Sequence, residues 1–277
     1  MALVAVEIRR DLARRLTRVL IGLALVVTVV VGVAVFANQR SLEDDPVAPP
    51  GTVLLSTPND ARFLTAAWPE DDPGRGYLLT PAVFLAITAF IAGASMIGAE
   101  WKAGTFTNLL TWEPRRARVL AAKFGAAGFL AAVITAALLI IFLAAFLPTV
   151  LVKGSTDDLD GESVRWLASG IGRMAGIAGM AAVFGAAIAM VGRNTSAAIG
   201  VAFGYFMVLE NLIRGLRPQW QRWLISENTA LWLMDGRIDL GFDRDPTLAG
   251  LTLLGYAAGA VLVAWALFAR RDVAGAS

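Results

Sequence analysis

Long apolar runs alternate with polar, charge-bearing stretches along this chain. About 20 apolar residues, each rising about 1.5 Å in a helix, cross the roughly 30 Å hydrocarbon core of a bilayer. The runs therefore predict six transmembrane helices, at residues 19–37, 79–98, 119–147, 169–191, 197–213 and 248–269. The third is the longest, and at about 1.5 Å per residue it reaches roughly 43 Å, so it is expected to tilt or to protrude on the side of Lys123. Residues 1–18 follow a different period. Val4, Ile8, Leu12 and Leu16 fall on one helical stripe, with Glu7, Arg10, Asp11, Arg14 and Arg18 opposite. That pattern predicts an amphipathic helix on the membrane surface, whose arginines also flank the first span. The first run is longer than the about 7–15 apolar residues of a signal peptide, so it is read as a span.

The polar stretches predict loops at residues 38–78, 148–168 and 214–247. The first holds six prolines with Glu43, Asp44, Asp45, Asp60, Glu70, Asp71 and Asp72, and a short helix is expected near residues 60–68. The second holds Asp157, Asp158, Asp160 and Glu162, and the third holds Trp220, Trp223 and Trp232. Trp220 and Trp223 are expected to anchor an interfacial or re-entrant segment. The turn at residues 192–196 makes spans four and five a helical hairpin, with Thr195 or Ser196 as the cap of the second helix. The pairs Gly172/Gly176, Gly200/Gly204 and Gly255/Gly259 are expected to pack helices closely.

Six spans place both termini on one side. That side carries 13 basic against 5 acidic residues, the other 11 against 17. The positive-inside rule then predicts cytoplasmic termini in the cell membrane.

Composition fixes the class. With 57 % hydrophobic and 17 % charged residues and a mean hydropathy of +0.65, the fold expected is an all-α, multi-pass membrane protein. The absence of Cys and His removes disulfides, thiolate or imidazole metal sites and His-activated nucleophiles. The only lysines, Lys102, Lys123 and Lys153, precede Ala, Phe and Gly, so there is no phosphate-binding loop ending in Lys-Ser or Lys-Thr. No catalytic or metal site and no nucleic-acid partner is expected. Spans one, two and six have no charge in their interiors, which argues against an ion-coupled carrier. Arg173 and Glu210 lie within apolar runs toward their outer ends; Arg173 is expected to snorkel outward, and Glu210 to pair with Arg214 or face a path beside Asn211.

The most informative stretch lies between spans two and three: Glu100-x-x-x-Gly104-Thr105, then Leu109-Leu110, Pro114, Arg115, Arg116, Arg118 and Lys123. Glu100 is expected to start and cap a short helix, Gly104-Thr105 to allow close backbone approach, and Pro114 to end the helix. This ordered set resembles the permease subunit of ABC-2 type ATP-binding-cassette transporters. The resemblance implies a cytoplasmic coupling helix at residues 99–116 that docks on a separate ABC ATPase, with the residues just named as partner-binding positions. Ala117 stands where many members carry Arg, so the family's arginine is one of Arg115, Arg116 and Arg118. It also implies ATP and Mg on the partner ATPase and no cofactor on this chain. A second permease copy or paralogue, set in membrane lipid, completes the complex. The translocation path of an exporter is then bordered by Phe203, Met207, Glu210 and Asn211. The rivals are a membrane scaffold or sensor that holds a cytoplasmic ATPase without transport, and an ion-coupled carrier.

Overall fold

Small side chains decide which helix sits at the centre. In the computed structural model, which describes residues 2–38, 67–70, 76–105, 115–153 and 159–270, the helix Gly161–Gly192 buries Gly170, Ala175, Ala178, Gly179, Ala182, Gly185, Ala186, Ala187 and Ala189. Lipid tails are as apolar as Leu, so helices in a membrane gain little from hydrophobicity alone and associate where backbones can approach. A Cβ added at Gly185 would lie 2.2 Å from the Phe90 carbonyl oxygen, and one at Gly93 would lie 2.0 Å from that of Ala182. Spans two and four therefore pack backbone to backbone.

All described secondary structure is helical. Helix α1 is Ala2–Ala13, and α2, Arg15–Asn38, is span one. Span two is α3, Leu79–Lys102; span three is α4, Arg116–Ala144, followed by a stub, α5, Leu147–Lys153. Span four is α6, Gly161–Gly192. Span five runs as α7, Thr195–Phe203, a π-helix Gly204–Leu209 and α8, Glu210–Leu216. A 3-10 turn, Pro218–Trp223, and α9, Ile225–Leu233, lead to span six, α10, Pro246–Arg270. All six spans are long and apolar enough to cross a membrane, so the chain is a multi-pass membrane protein.

The spans alternate in direction. The Arg116 guanidinium donates to the Phe268 carbonyl at 2.9 Å, so the start of span three meets the end of span six. At the opposite end Tyr256 Oη donates to the Trp223 carbonyl at 2.7 Å, and Trp166 Nε1 to that of Trp68 at 2.8 Å. Residues 2 and 270 thus lie at one end of the bundle, called here the basic end. Spans one and five are peripheral: in each, 11 % of the apolar window is buried, against 50 % for span four. A cleft of about 580 Å³ separates span one from spans two and three.

Several expectations are corrected. Span four begins at Gly161 and not at residue 169, because Asp160 caps it by accepting from the Ser163 N–H at 2.7 Å. The same bonds hold the Asp160 carboxyl below the usual carboxylate range. Span three starts at Arg116, and its far end breaks after Ala144 before the stub. Span five is capped by Asn194, whose Oδ1 accepts from the Ser196 N–H at 2.8 Å, and not by Thr195 or Ser196. The preceding Arg193 is left-handed (φ 52°) and closes the end of span four. Gly172, Gly176, Gly200, Gly204, Gly255 and Gly259 have nothing within 4 Å of an added Cβ. The spaced glycine pairs therefore pack no helices within the chain; Gly93, Gly98, Gly128, Gly179 and Gly185 do so. Arg173 extends toward the end opposite the basic end, where its Nη2 lies 2.8 Å from Asp235 and its guanidinium lies over the Trp166 ring, in keeping with an outward-reaching side chain. Residues 60–66 of the short helix expected in the first loop lie outside the described residues.

Candidate functional site: the buried ion cluster behind the loop between spans two and three

Glu100 lies in the last turn of span two, so the expectation that it starts a short helix fails; the chain turns at Ala103 and Gly104 and is helical again at Thr105. Span two continues through Glu100 to Lys102, and Gly104 then takes φ +66°. This left-handed conformation suits glycine and stops the helix. The Gly104 N–H bonds the Trp101 carbonyl at 3.2 Å, and the Thr105 hydroxyl donates to the Glu100 carbonyl at 3.3 Å. Two of the carbonyls that a helix C-terminus leaves exposed are thereby satisfied. Among the described residues nothing lies within 4 Å of a Cβ added at Gly104, so backbone conformation accounts for the glycine.

Glu100 faces the bundle, at 2 % exposure. Its partner is Lys123, fully buried in span three. The Lys123 Nζ lies 2.9 Å from the Glu100 carboxylate and 2.9 Å from Glu7 Oε1 on α1. Arg10 Nη1 is 3.0 Å from Glu100 Oε1, and Arg14 Nη2 is 3.7 Å from it. Arg14 also donates to the Ser95 and Met96 carbonyls at 3.2 and 3.1 Å, while its Nε lies 3.4 Å from Asp11 Oδ1. Three carboxylates, Glu7, Asp11 and Glu100, thus face three cations, Arg10, Arg14 and Lys123. Isolated charges are very costly to bury, and a balanced, closely spaced set removes much of that cost. Asp11 is the least well served. Burial pushes its carboxyl up to about 6, with Arg14 pulling the other way.

The cluster changes the reading of α1. Val4 and Ile8 pack on Met96, Ala126 and Ala127, but Leu12 and Leu16 are exposed. The acidic residues expected to face water are buried instead. The ions tie α1 to the end of span two and to the second turn of span three, on either side of the loop.

The other residues of the loop divide. Arg116 is fixed to the end of span six by its carbonyl bonds and lies over the Phe268 ring at 5.6 Å. Arg115 and Arg118 are exposed. Leu109, Leu110 and Pro114 lie outside the described residues. Beside them Trp101 bonds Met190 Sδ at 3.4 Å and carries the Arg193 guanidinium at 4.8 Å. The loop is therefore held at both ends by the body of the bundle.

The residues expected to border a path do not act as one group. Phe203 and Met207 are exposed on span five, whereas Glu210 is fully buried. Glu210 Oε1 accepts from the Ser226 N–H at 3.1 Å, capping the first turn of α9, and its Oε2 accepts from the Ser226 hydroxyl. Arg214 bridges Glu210 at 3.2 Å and Glu227 at 2.6 Å. Asn211 Nδ2 donates to the Phe206 and Met207 carbonyls at 3.2 and 3.0 Å, which serves acceptors in the widened π-helical turn. Sequence reasoning missed Glu7, Arg10, Arg14, Ser226 and Glu227. The one available signal was the i, i+4 pair Glu7 and Asp11 among arginines, an acidic strip on a helix meant to meet a membrane.

Among curated proteins, none matches the chain. A protein family described as ABC-2 family transporter protein matches residues 1–216, which contain α1, the ion cluster, the loop and all of span five. The chain belongs to the ABC-2 transporter family.

Proposed function

We propose that this chain is the permease subunit of an ABC-2 exporter, driven by ATP and Mg on a separate ABC ATPase and paired with a second permease copy. The observation that carries this reading is the buried cluster of Glu7, Glu100 and Lys123 directly behind the loop. A push on residues 99–116 is delivered to spans two and three and to α1 together, because one ammonium is bonded to carboxylates on two of these elements and rooted in the third. Gly104, Thr105, Leu109, Leu110, Pro114, Arg115 and Arg118 form the face offered to the ATPase. Glu100, Lys123 and Arg116 act behind it as anchors, which replaces the docking role expected for Glu100. On this reading the basic end is cytoplasmic, as the 13 basic against 5 acidic residues favour. The exposed Phe203 and Met207 of span five face the path at the permease pair, and Glu210 and Asn211 shape its outer end.

The test is reconstitution with a partner ABC ATPase. The chain alone is expected to hydrolyse no ATP, and the complex to do so at a rate the chain alters. Gly104→Leu forces a branched side chain into a left-handed residue, at about 1–2 kcal/mol, and redirects the loop. It should weaken docking or uncouple turnover while insertion is preserved, and Lys153→Ala at the other end should behave as the parent. Full ATPase binding and parental turnover by Gly104→Leu would sink the assignment of the loop. Binding without any ATP-dependent transport would favour a scaffold.

A further inference from the structure

At the end of the bundle opposite the ion cluster, cations on tryptophan rings come in two kinds. Arg173 and Arg237 lie over the Trp166 ring at 5.5 and 4.3 Å, and each has a carboxylate: Asp235 at 2.8 Å and Glu70 at 3.0 Å. Arg222 and Arg244 lie over the Trp223 ring at 5.9 and 5.2 Å, and among the described residues neither is within ion-pair distance of any carboxylate. Arg244 is half-buried, with Nη1 and Nη2 committed to the Arg222 carbonyl and the Thr252 hydroxyl. Its Nε is buried and has no acceptor among the described residues. The neighbouring Asp245 is occupied as a helix cap, accepting from the N–H groups of Thr247 and Leu248 at 2.7 and 3.2 Å. A partly desolvated guanidinium without an anion is costly.

The surroundings indicate what the anion would be. Trp220 and Trp223 are 57 % and 53 % exposed between the ends of spans five and six, and exposed aromatic rings beside span ends favour the level of the lipid headgroups. The Tyr256 hydroxyl holds the Trp223 carbonyl, so this shelf is fixed to span six. The ends of the two spans that frame it expose Leu216 and Leu248, apolar surface on which acyl chains can lie. We propose that Arg222, Arg244 and Trp223 form a binding site for the phosphate of an anionic membrane lipid in the leaflet at this end. Guanidinium groups bind phosphate through paired N–H donors, and the tryptophans hold the glycerol level.

The chain has no cysteine, so Gln221→Cys carrying an environment-sensitive fluorophore reports on this spot alone. In detergent micelles it is titrated with phosphatidylglycerol, with phosphatidylcholine and with soluble glycerol phosphate. A saturable response to phosphatidylglycerol is expected, with little response to the other two. At the usual strength of one basic residue near a membrane surface, Arg222→Gln should weaken binding about fivefold and the Arg222→Gln/Arg244→Gln pair about thirtyfold. The Arg222 side chain is exposed and lies over the Trp223 ring, while the bonds from Arg244 and Asn228 go to its backbone carbonyl, so its single variant keeps the fold if the pair does not. Arg165→Gln, an exposed arginine at the same end, should bind as the parent. Equal responses to phosphatidylcholine and phosphatidylglycerol, parental binding by Arg222→Gln, or an equal loss in Arg165→Gln would overturn the site. A response to glycerol phosphate as strong as to the lipid would overturn the lipid as its occupant.

Discussion

The two ends of the bundle bury charge in opposite ways. At the basic end, Lys123 joins Glu7 and Glu100, which stand 116 and 23 residues away in the chain. At the other end, Glu210, Arg214, Ser226 and Glu227 lie within 17 positions and close a single local turn. Removing one member of a far-reaching cluster frees several elements and leaves an uncompensated charge in the bundle. Removing one member of a local cap loosens a turn. Buried charge at the basic end organises the tertiary structure, and at the other end it finishes a helix.

That difference is open to direct attack. Glu100→Ala leaves three cations against two carboxylates in the cluster and should cost about 3–5 kcal/mol, read as a lowered thermal midpoint in micelles. Replacing the pair as Glu100→Gln/Lys123→Met should cost much less than Glu100→Ala, because no charge is stranded.

Asp11 gives the next effect. Its carboxyl is raised to about 6 from 3.8, so between these values the folded state binds the proton more tightly than the unfolded state. The docking of α1 is then most stable below about pH 4, loses stability as pH rises to about 6, and stays at the lower level above. Asp11→Asn should remove this dependence and strengthen docking near neutral pH, by on the order of 2–3 kcal/mol at about 1.4 kcal/mol per pKa unit. Protection factors of the α1 amides, corrected for the intrinsic rise of exchange with pH, read it across pH 4–7, and protection in the parent that is as high at pH 7 as at pH 4 would contradict it.

Between the two ends, Gly185→Ala drives a methyl into the Phe90 carbonyl and should cost about 1–3 kcal/mol. Gly172→Ala, in open space, should be neutral or slightly stabilising. Among the charge substitutions the smallest effect is expected from Glu210→Gln, about 1–2 kcal/mol, since Arg214 keeps Glu227 and the carboxamide oxygen still accepts from Ser226. A loss as large as that of Glu100→Ala would erase the distinction between the ends.

The spans were legible in the sequence because length and composition alone decide what can cross a bilayer. The Asp160 cap and the partners of Lys123 were not, for different reasons. Asp160 stands in an acidic run that resembles a solvated loop, and only the Ser163 N–H shows that the helix begins there. The Lys123 pairing depends on where α1 lies, and an amphipathic period does not say whether its polar face meets water or a second polar surface. The glycine pairs misled because spacing in a Gly- and Ala-rich chain does not identify the face that meets a neighbour. Glu100-x-x-x-Gly104-Thr105 was found as a motif but read in the wrong direction: a Glu before a Gly-Thr step suits either end of a helix until the φ of Gly104 is known. The π-helical turn of span five leaves no mark on apolar periodicity over so few residues.

On the proposed reading the cluster transmits what the loop receives. This transmission is tested most directly by ATP turnover of a partner ABC ATPase in lipid nanodiscs, alone, with the parent chain and with Glu100→Gln/Lys123→Met. Both chains should bind the ATPase equally, the parent should change its turnover, and the pair variant should change it little. Equal coupling by the two chains, or a parent chain that leaves turnover untouched, would contradict it.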